Sequence, residues 1–191
     1  MTREWLIAII RWSWIIFLVV WFLTALTAKR TRTAESFLDQ LTYRGITVLG
    51  ALFVFDRHWL ERFLDAPILP WDEWLLRIGA VLTVTGILFA FWARFHLGRN
   101  WSGNVTIKTD HELIRTGPYA RIRHPIYTGI LIAILGACIA TDTWRTMVGF
   151  ALIILGFWLK ARREEAVLAK EFGPKFDEHR QLTGMFLPRL S

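Results

Sequence analysis

Cysteine occurs once in this chain of 191 residues, at Cys138. That excludes an internal disulfide framework and a cysteine-based zinc site. Charge is scarce: only 20% of residues are Asp, Glu, Lys or Arg, against 54% apolar. A soluble chain of this length carries a more polar surface, so the composition argues against a water-soluble globule. Motifs of the common soluble enzymes are missing. There is no G-x-G-x-x-G, no G-x-x-x-x-G-K-[ST], no G-x-S-x-G and no H-E-x-x-H, which removes the nucleotide-binding, nucleophile-elbow and zinc-helix readings. The five histidines have no regular helical ligand spacing, and no metal is expected. No solenoid repeat, low-complexity stretch or Pro- or Ser-rich linker divides the chain. It reads as a single membrane domain over 1–191, with three helices in 1–95 and a cofactor-binding and catalytic half in 96–191.

Aromatics make up 15% of the residues, including eleven tryptophans, which excludes disorder and suits water–lipid boundaries. The net charge of +7 sits between long apolar runs rather than on one stripe, so the bilayer, not nucleic acid, is the expected partner.

Five apolar runs are read as transmembrane helices, giving an all-α, polytopic fold. Trp5 to Ala28 is long enough to cross a core of about 30 Å. Its length and internal Arg11 argue for a retained helix rather than a signal peptide. Tyr43 to Phe55 is a shorter, tilted span flanked by Phe37, Leu38 and Leu41 on one side and Trp59, Leu60 and Phe63 on the other. Trp74 to Phe95 follows. Pro125 to Ala140 and Trp144 to Leu159 are separated only by Thr141, Asp142 and Thr143, which predicts a tight helical hairpin. Basic residues outnumber acidic ones four to two over Lys29–Arg44, six to two over Arg94–His124 and seven to five from Lys160 onward, but fall to two against five over Asp56–Trp74. That alternation places the N-terminus outside and the C-terminus in the cytoplasm, as expected for the cytoplasmic membrane of a bacterium or archaeon.

The chemistry concentrates on the cytosolic side. Thr116-Gly-Pro-Tyr119 is a turn, and Arg121, Arg123 and His124 lead into Pro125, which suits the first position of a helix. Backbone N–H groups at that helix start would suit a carboxylate or phosphate; holding the loop at lipid headgroups is the plainer role for the same cations. The fifth span is expected to run on as a cytosolic C-terminal helix to Phe172 and stop at Gly173-Pro174. On it lie Lys160, Arg163, Glu164 and Glu165. Adjacent glutamates point about 100° apart and serve different partners, and Lys160 with Glu164 can form an i,i+4 pair worth about 0.3–0.5 kcal/mol. The hairpin should bring His124 and Glu164 to one membrane surface, forming a pocket for a zwitterionic group.

His111-Glu-Leu-Ile-Arg-Thr-Gly-Pro-Tyr119, Arg123-His-Pro-Ile-Tyr127-Thr-Gly129, Arg163-Glu-Glu165 and Phe172-Gly173 together resemble the integral membrane methyltransferases, the isoprenylcysteine carboxyl methyltransferase and phospholipid N-methyltransferase group. The resemblance covers about the last 90 residues. It implies S-adenosyl-L-methionine as cofactor, released as S-adenosyl-L-homocysteine, and a lipid-like methyl acceptor. Carried over by position, the cofactor would be held by Asn104, by His111, Glu112, Leu113 and Ile114, by Tyr119, His124, Pro125 and Tyr127, and by Glu164 at its amino group. Glu165, Arg163 and Lys160 would serve catalysis or the substrate. Lys160 stands where the carboxyl methyltransferases have an arginine, and lysine lacks the bidentate fork for a carboxylate. The resemblance favours O-methylation of an isoprenylcysteine-like carboxylate, which is already ionised, and the alternative is N-methylation of an ethanolamine phospholipid, for which Glu165 would act as base. A membrane scaffold without catalysis is the reading from another class. Trp92, Phe95, Trp101, Phe157 and Trp158 are candidates for a lipid tunnel.

Overall fold

The computed structural model describes residues 2–26, 31–34, 36–56, 64–70, 72–108 and 112–189. Its helices are α1 (Arg3–Ala25), α2 (Phe37–Phe55), α3 (Glu73–Leu97), α4 (Pro125–Thr141), α5 (Trp144–Phe172) and α6 (Pro174–Leu182). Three of them, α1, α3 and α5, are long and apolar enough to cross a membrane, and Gln40–Phe55 and Pro125–Thr141 are shorter apolar helices. The chain is an integral membrane protein. One feature departs from an all-α expectation: β1 (Thr31–Ala34) and β2 (Thr106–Lys108) pair antiparallel as a short ribbon. Trp59, Leu60, Phe63 and His111 lie outside the described residues.

Local chemistry sets the helix limits. Asp72 caps α3 by accepting from the Trp74 N–H at 3.0 Å, and Thr143 caps α5 by accepting from Thr146. Asp142 turns the α4–α5 connection in the left-handed region at φ 52°. Gly173, at φ 53°, ends α5 and returns its N–H to Ala169 O. The fifth apolar run and its polar extension are therefore one continuous helix.

Helix pairs meet through small residues, as lipid-embedded helices do when packing replaces hydrophobic drive. A Cβ at Gly79 would fall 2.6 Å from Gly136 O on α4, so only glycine allows this approach of α3 to α4. Gly50 and Gly149 do the same for α2 and α5. Leu6 packs with Leu76 and Ala80, tying the start of α1 to the start of α3. Arg94 donates to Thr24 O at 2.7 Å and so ties their other ends. The C-terminal ends of α1, α3 and α5 thus gather with the N-terminal ends of α2 and α4. The site lies at that pole.

At the opposite pole the segment 64–69 is stapled to the hairpin. Arg145, fully buried, donates from Nε to Asp65 Oδ1 at 2.6 Å, and its backbone N–H reaches Leu64 O at 2.8 Å.

Candidate functional site

The turn Gly117–Ala120 seats Tyr119 against Ala93 and Ile126, and two residues of the α4 entry complete the approach. His124 is the N-cap of α4 and Pro125 its first residue. The tail after α6 then fixes them. Arg123 N–H donates to Gly184 O at 2.9 Å, His124 N–H to Met185 O at 3.0 Å, and Thr128 Oγ1 to Phe186 O at 2.7 Å. The backbone N–H groups of Arg123 and His124 are thus taken by the chain's own tail. What faces the cavity instead is the His124 side chain.

That imidazole sits between two carboxylates. Nδ1 lies 3.4 Å from Glu164 Oε2 and Nε2 lies 3.2 Å from Glu165 Oε1. Burial alone pushes the His124 pKa down, but the hydrogen bonds and charges of the two glutamates outweigh it and hold it above its usual value. Tyr127 stacks on the ring at 5.5 Å and donates its hydroxyl to Glu164 Oε1 at 2.7 Å. Lys160 Nζ lies 3.8 Å from the same oxygen, donates to Gly103 O at 2.8 Å and sits over the Tyr127 ring.

A cavity of about 550 Å³ opens beside this cluster. Of the sequence candidates, Asn104, Glu112, Leu113, Ile114, Tyr119, His124, Tyr127, Lys160 and Glu164 line it. Pro125 is buried behind His124. Glu165 and Arg163 are not on the wall. Glu165 is held by Arg123 Nε at 2.7 Å as well as by His124, and the Arg163 guanidinium lies 6.0 Å over the Tyr43 ring of α2. The adjacent glutamates therefore have different settings, one open to the cavity and one locked behind it. Among the tunnel candidates, Trp101 and Phe157 line the cavity. Trp92, Phe95 and Trp158 are corrected to outward-facing positions, each about half exposed.

Several wall residues carried no sequence signal. Phe17, Leu18 and Trp21 of α1 and Thr47 and Ala51 of α2 form the side toward the first two helices. Phe176 and His179 come from α6. His179 is buried, and burial with the nearby Arg115 and Arg123 lowers its pKa. Asn100, at the end of the turn after α3, is a further buried polar wall residue. A histidine in a short polar helix and an asparagine in a loop resemble surface residues until the tail and loop fold over the bundle.

Residues 79–170 match the isoprenylcysteine carboxyl methyltransferase (ICMT) family. A nickel-cobalt-cadmium resistance protein, NccN, of Alcaligenes xylosoxydans xylosoxydans is 33% identical over 127 residues, 63% of this chain and 55% of that protein. A probable protein-S-isoprenylcysteine O-methyltransferase of Oryza sativa subsp. indica is 29% identical over 86% of this chain and 85% of its own length. The solved eukaryotic intramembrane Ras methyltransferase ICMT shares the fold with a TM-score of 0.55 at 23% identity, over 77% of this chain and 52% of that one. The chain thus spans about half the length of the resistance protein and of the solved structure.

Proposed function

We infer, for a chain that belongs to the integral-membrane, isoprenylcysteine carboxyl methyltransferase-like family, that it is an S-adenosylmethionine-dependent O-methyltransferase. Its acceptor is a lipidic carboxylate of the isoprenylcysteine type. The observation that carries this is the Glu164 carboxylate, facing the cavity and held by Tyr127, His124 and Lys160.

The residues present fit the donor. A zwitterionic amino acid moiety needs a carboxylate for its ammonium, and Glu164 provides one. A flat heteroaromatic needs apolar walls, and Leu113, Ile114, Leu168 and Phe176 provide them. The donor supplies a sulfonium methyl that is already activated, so the protein's task is alignment of nucleophile, carbon and sulfur. Tyr127, locked between His124 and Phe157, keeps the Glu164 carboxylate in one orientation. Glu112, Leu113 and Ile114 stand on the donor side. Lys160 offers its ammonium to the acceptor carboxylate as a point charge. Glu165 acts through Arg123 and His124 rather than on the reacting atoms.

The acceptor enters from the bilayer between α1 and α2. Their cavity-facing residues stand on one side of the Trp14–Phe55 ring contact, and Leu18 is 62% exposed while lining the cavity. The five apolar helices span the membrane with the N-terminus outside. The pole that carries the site faces the cytoplasm, where the water-soluble donor is available.

A second reading, N-methylation of an ethanolamine-type phospholipid, is favoured by His179. It lines the cavity, and its lowered pKa keeps the imidazole neutral at pH 7. A neutral imidazole can take the proton an amine must lose. Detergent-solubilised protein incubated with methyl-labelled donor and membrane lipid extract separates these readings. The carboxylate reading expects a base-labile labelled ester, and the amine reading a base-stable product. No label, together with no binding heat for S-adenosylhomocysteine, leaves the scaffold reading.

A further inference from the structure

Arg11 is the one charged residue between Trp5 and Ala25. It is exposed on α1, does not line the cavity and has no hydrogen-bond, ion-pair or ring partner among the described residues. An ionisable side chain within a membrane span almost always faces protein and is paired, because hydrocarbon penalises the charge. Arg11 breaks that rule, so its counter-ion comes from outside the chain. Its level follows from the first turns of α1, α3 and α5, where Trp5, Trp74 and Trp144 are each more than half exposed at the pole opposite the site. Such a belt marks the headgroup boundary. Arg11 lies six residues beyond Trp5, about 9 Å deeper at 1.5 Å rise per residue. Its Cα–Cβ bond tilts back toward the start of the helix, so an extended side chain returns the guanidinium to that boundary.

A second copy of the chain offers no partner. Trp5–Ala25, Gln40–Phe55, Trp74–Leu97, Pro125–Thr141 and Trp144–Leu159 contain no Asp or Glu, and α1 set against α1 in the same orientation brings Arg11 against Arg11. The anion at that level is the phosphodiester of a lipid, which a planar guanidinium meets with two parallel N–H donors. Ile15, Leu18 and Phe22, which lie four, seven and eleven residues on, continue the same exposed face and suit an acyl chain. We propose that Arg11 is the headgroup site of a phospholipid in the leaflet at the pole opposite the functional site, held through its phosphate with an acyl chain along Ile15, Leu18 and Phe22. Leu6 and Phe17 are the buried residues of α1, so the helix that gives Phe17, Leu18 and Trp21 to the cavity wall has lipid against most of its surface. Leu18 belongs to both surfaces, and the bound lipid lies against the outer side of that wall.

Photo-crosslinking of the full chain tests this in vesicles of diglucosyl diacylglycerol, a lipid without phosphate. The vesicles are doped with one of two probes carrying the same headgroup diazirine, phosphatidylglycerol or diglucosyl diacylglycerol itself. The phosphatidylglycerol probe is expected to label residues 7–15 of the wild type about tenfold more than the glycolipid probe or better. Arg11→Gln is expected to lose that preference, and Arg11→Lys to keep most of it, since lysine still binds phosphate as a point charge. The melting temperature of Arg11→Gln in phospholipid-free detergent is expected to equal that of the wild type, because no contact within the chain is lost. Arg11→Leu serves as the second variant if glutamine prevents reconstitution, with the same loss of preference expected. Equal labelling of the wild type by both probes means that Arg11 reaches only water, and overturns the proposal. An undiminished preference in Arg11→Gln or Arg11→Leu overturns it as well. So does displacement of the phosphatidylglycerol probe by inorganic phosphate, which marks a soluble anion, or a wild-type dimer that Arg11→Gln converts to monomer by light scattering, which marks a second copy as the partner.

Discussion

His124 Nδ1 lies 3.4 Å from Glu164 Oε2, with one residue on each arm of the α4–α5 hairpin. Neither side chain is placed by its own helix alone. The tail anchors the backbone before α4, while Tyr127, one turn further on, fixes the carboxylate from the other side. Glu164→Gln keeps the shape and an acceptor for Tyr127 but removes the charge offered to the donor's ammonium. Hydrogen bonds to charged groups contribute about 1.5–3 kcal/mol. S-adenosylhomocysteine affinity is therefore expected to fall about ten- to a hundredfold by calorimetry. Wild-type affinity in that variant removes Glu164 from the site.

The same pair predicts a pH dependence. The His124 pKa is raised above its usual 6.5 because the charges and hydrogen bonds of Glu164 and Glu165 outweigh its burial. Tyr127 stacks on its face, and Arg123 faces it through Glu165. A raised pKa means that the imidazolium's contribution to stability is present in full below the unfolded value. It is lost as pH rises through the folded one. The ligand-free melting temperature is expected to decline from about pH 6.5 upward, and His124→Gln should flatten that decline. Parallel curves for the two proteins would exclude His124 as the titrating group.

The hairpin was legible in the sequence because its signals are local: Pro125 at a helix start, three polar residues between two apolar runs, and Gly173-Pro174 as a stop. Convergence of His124 and Glu164 follows from helix length alone. The first two helices gave no such guide. In lipid the outer face is as apolar as the inner one, so Trp21 and Phe17 on the cavity wall look no different in sequence from Trp92 and Phe95 facing outward. The β1–β2 ribbon and the return of 183–186 escape the reading for another reason. Both are set by backbone hydrogen bonds to distant segments, which leave no periodicity behind.

Arg123 and Glu165 form a pair with side chains 11% and 8% exposed, and Arg123 also donates to Thr183 O. Breaking a buried pair strands a charge and costs about 3–5 kcal/mol. Arg123→Met is expected to lower stability by that order, and Arg123→Met with Glu165→Gln to recover part of it. A positioning role for Glu165 expects Glu165→Gln to shift stability and donor affinity together. A direct proton-transfer role expects kcat to fall with KM and affinity unchanged. Denaturation curves beside steady-state kinetics distinguish the two.

The Arg145–Asp65 pair offers a control from the opposite pole. Arg145 is fully buried and also bonds Phe53 O and Asp56 O, so it fastens segment 64–69, the end of α2 and the hairpin tip in one place. Asp65 is partly open to solvent, with 29% of its side chain exposed, which reduces what the ion pair itself contributes. The carbonyls that Arg145 satisfies would lose their donor all the same, and Arg145→Met is expected to destabilise by about 2 kcal/mol. Among the described residues none of that pole lines the cavity, so S-adenosylhomocysteine affinity should stay at the wild-type value. Sites this far apart with no shared partner are expected to act additively within about 0.5 kcal/mol. The double variant Arg145→Met with Glu164→Gln should therefore combine the stability loss of one with the affinity loss of the other. A coupling clearly larger than that would mean the hairpin transmits strain between its tip and its open end, and the rigid-hairpin account of the site would have to be abandoned.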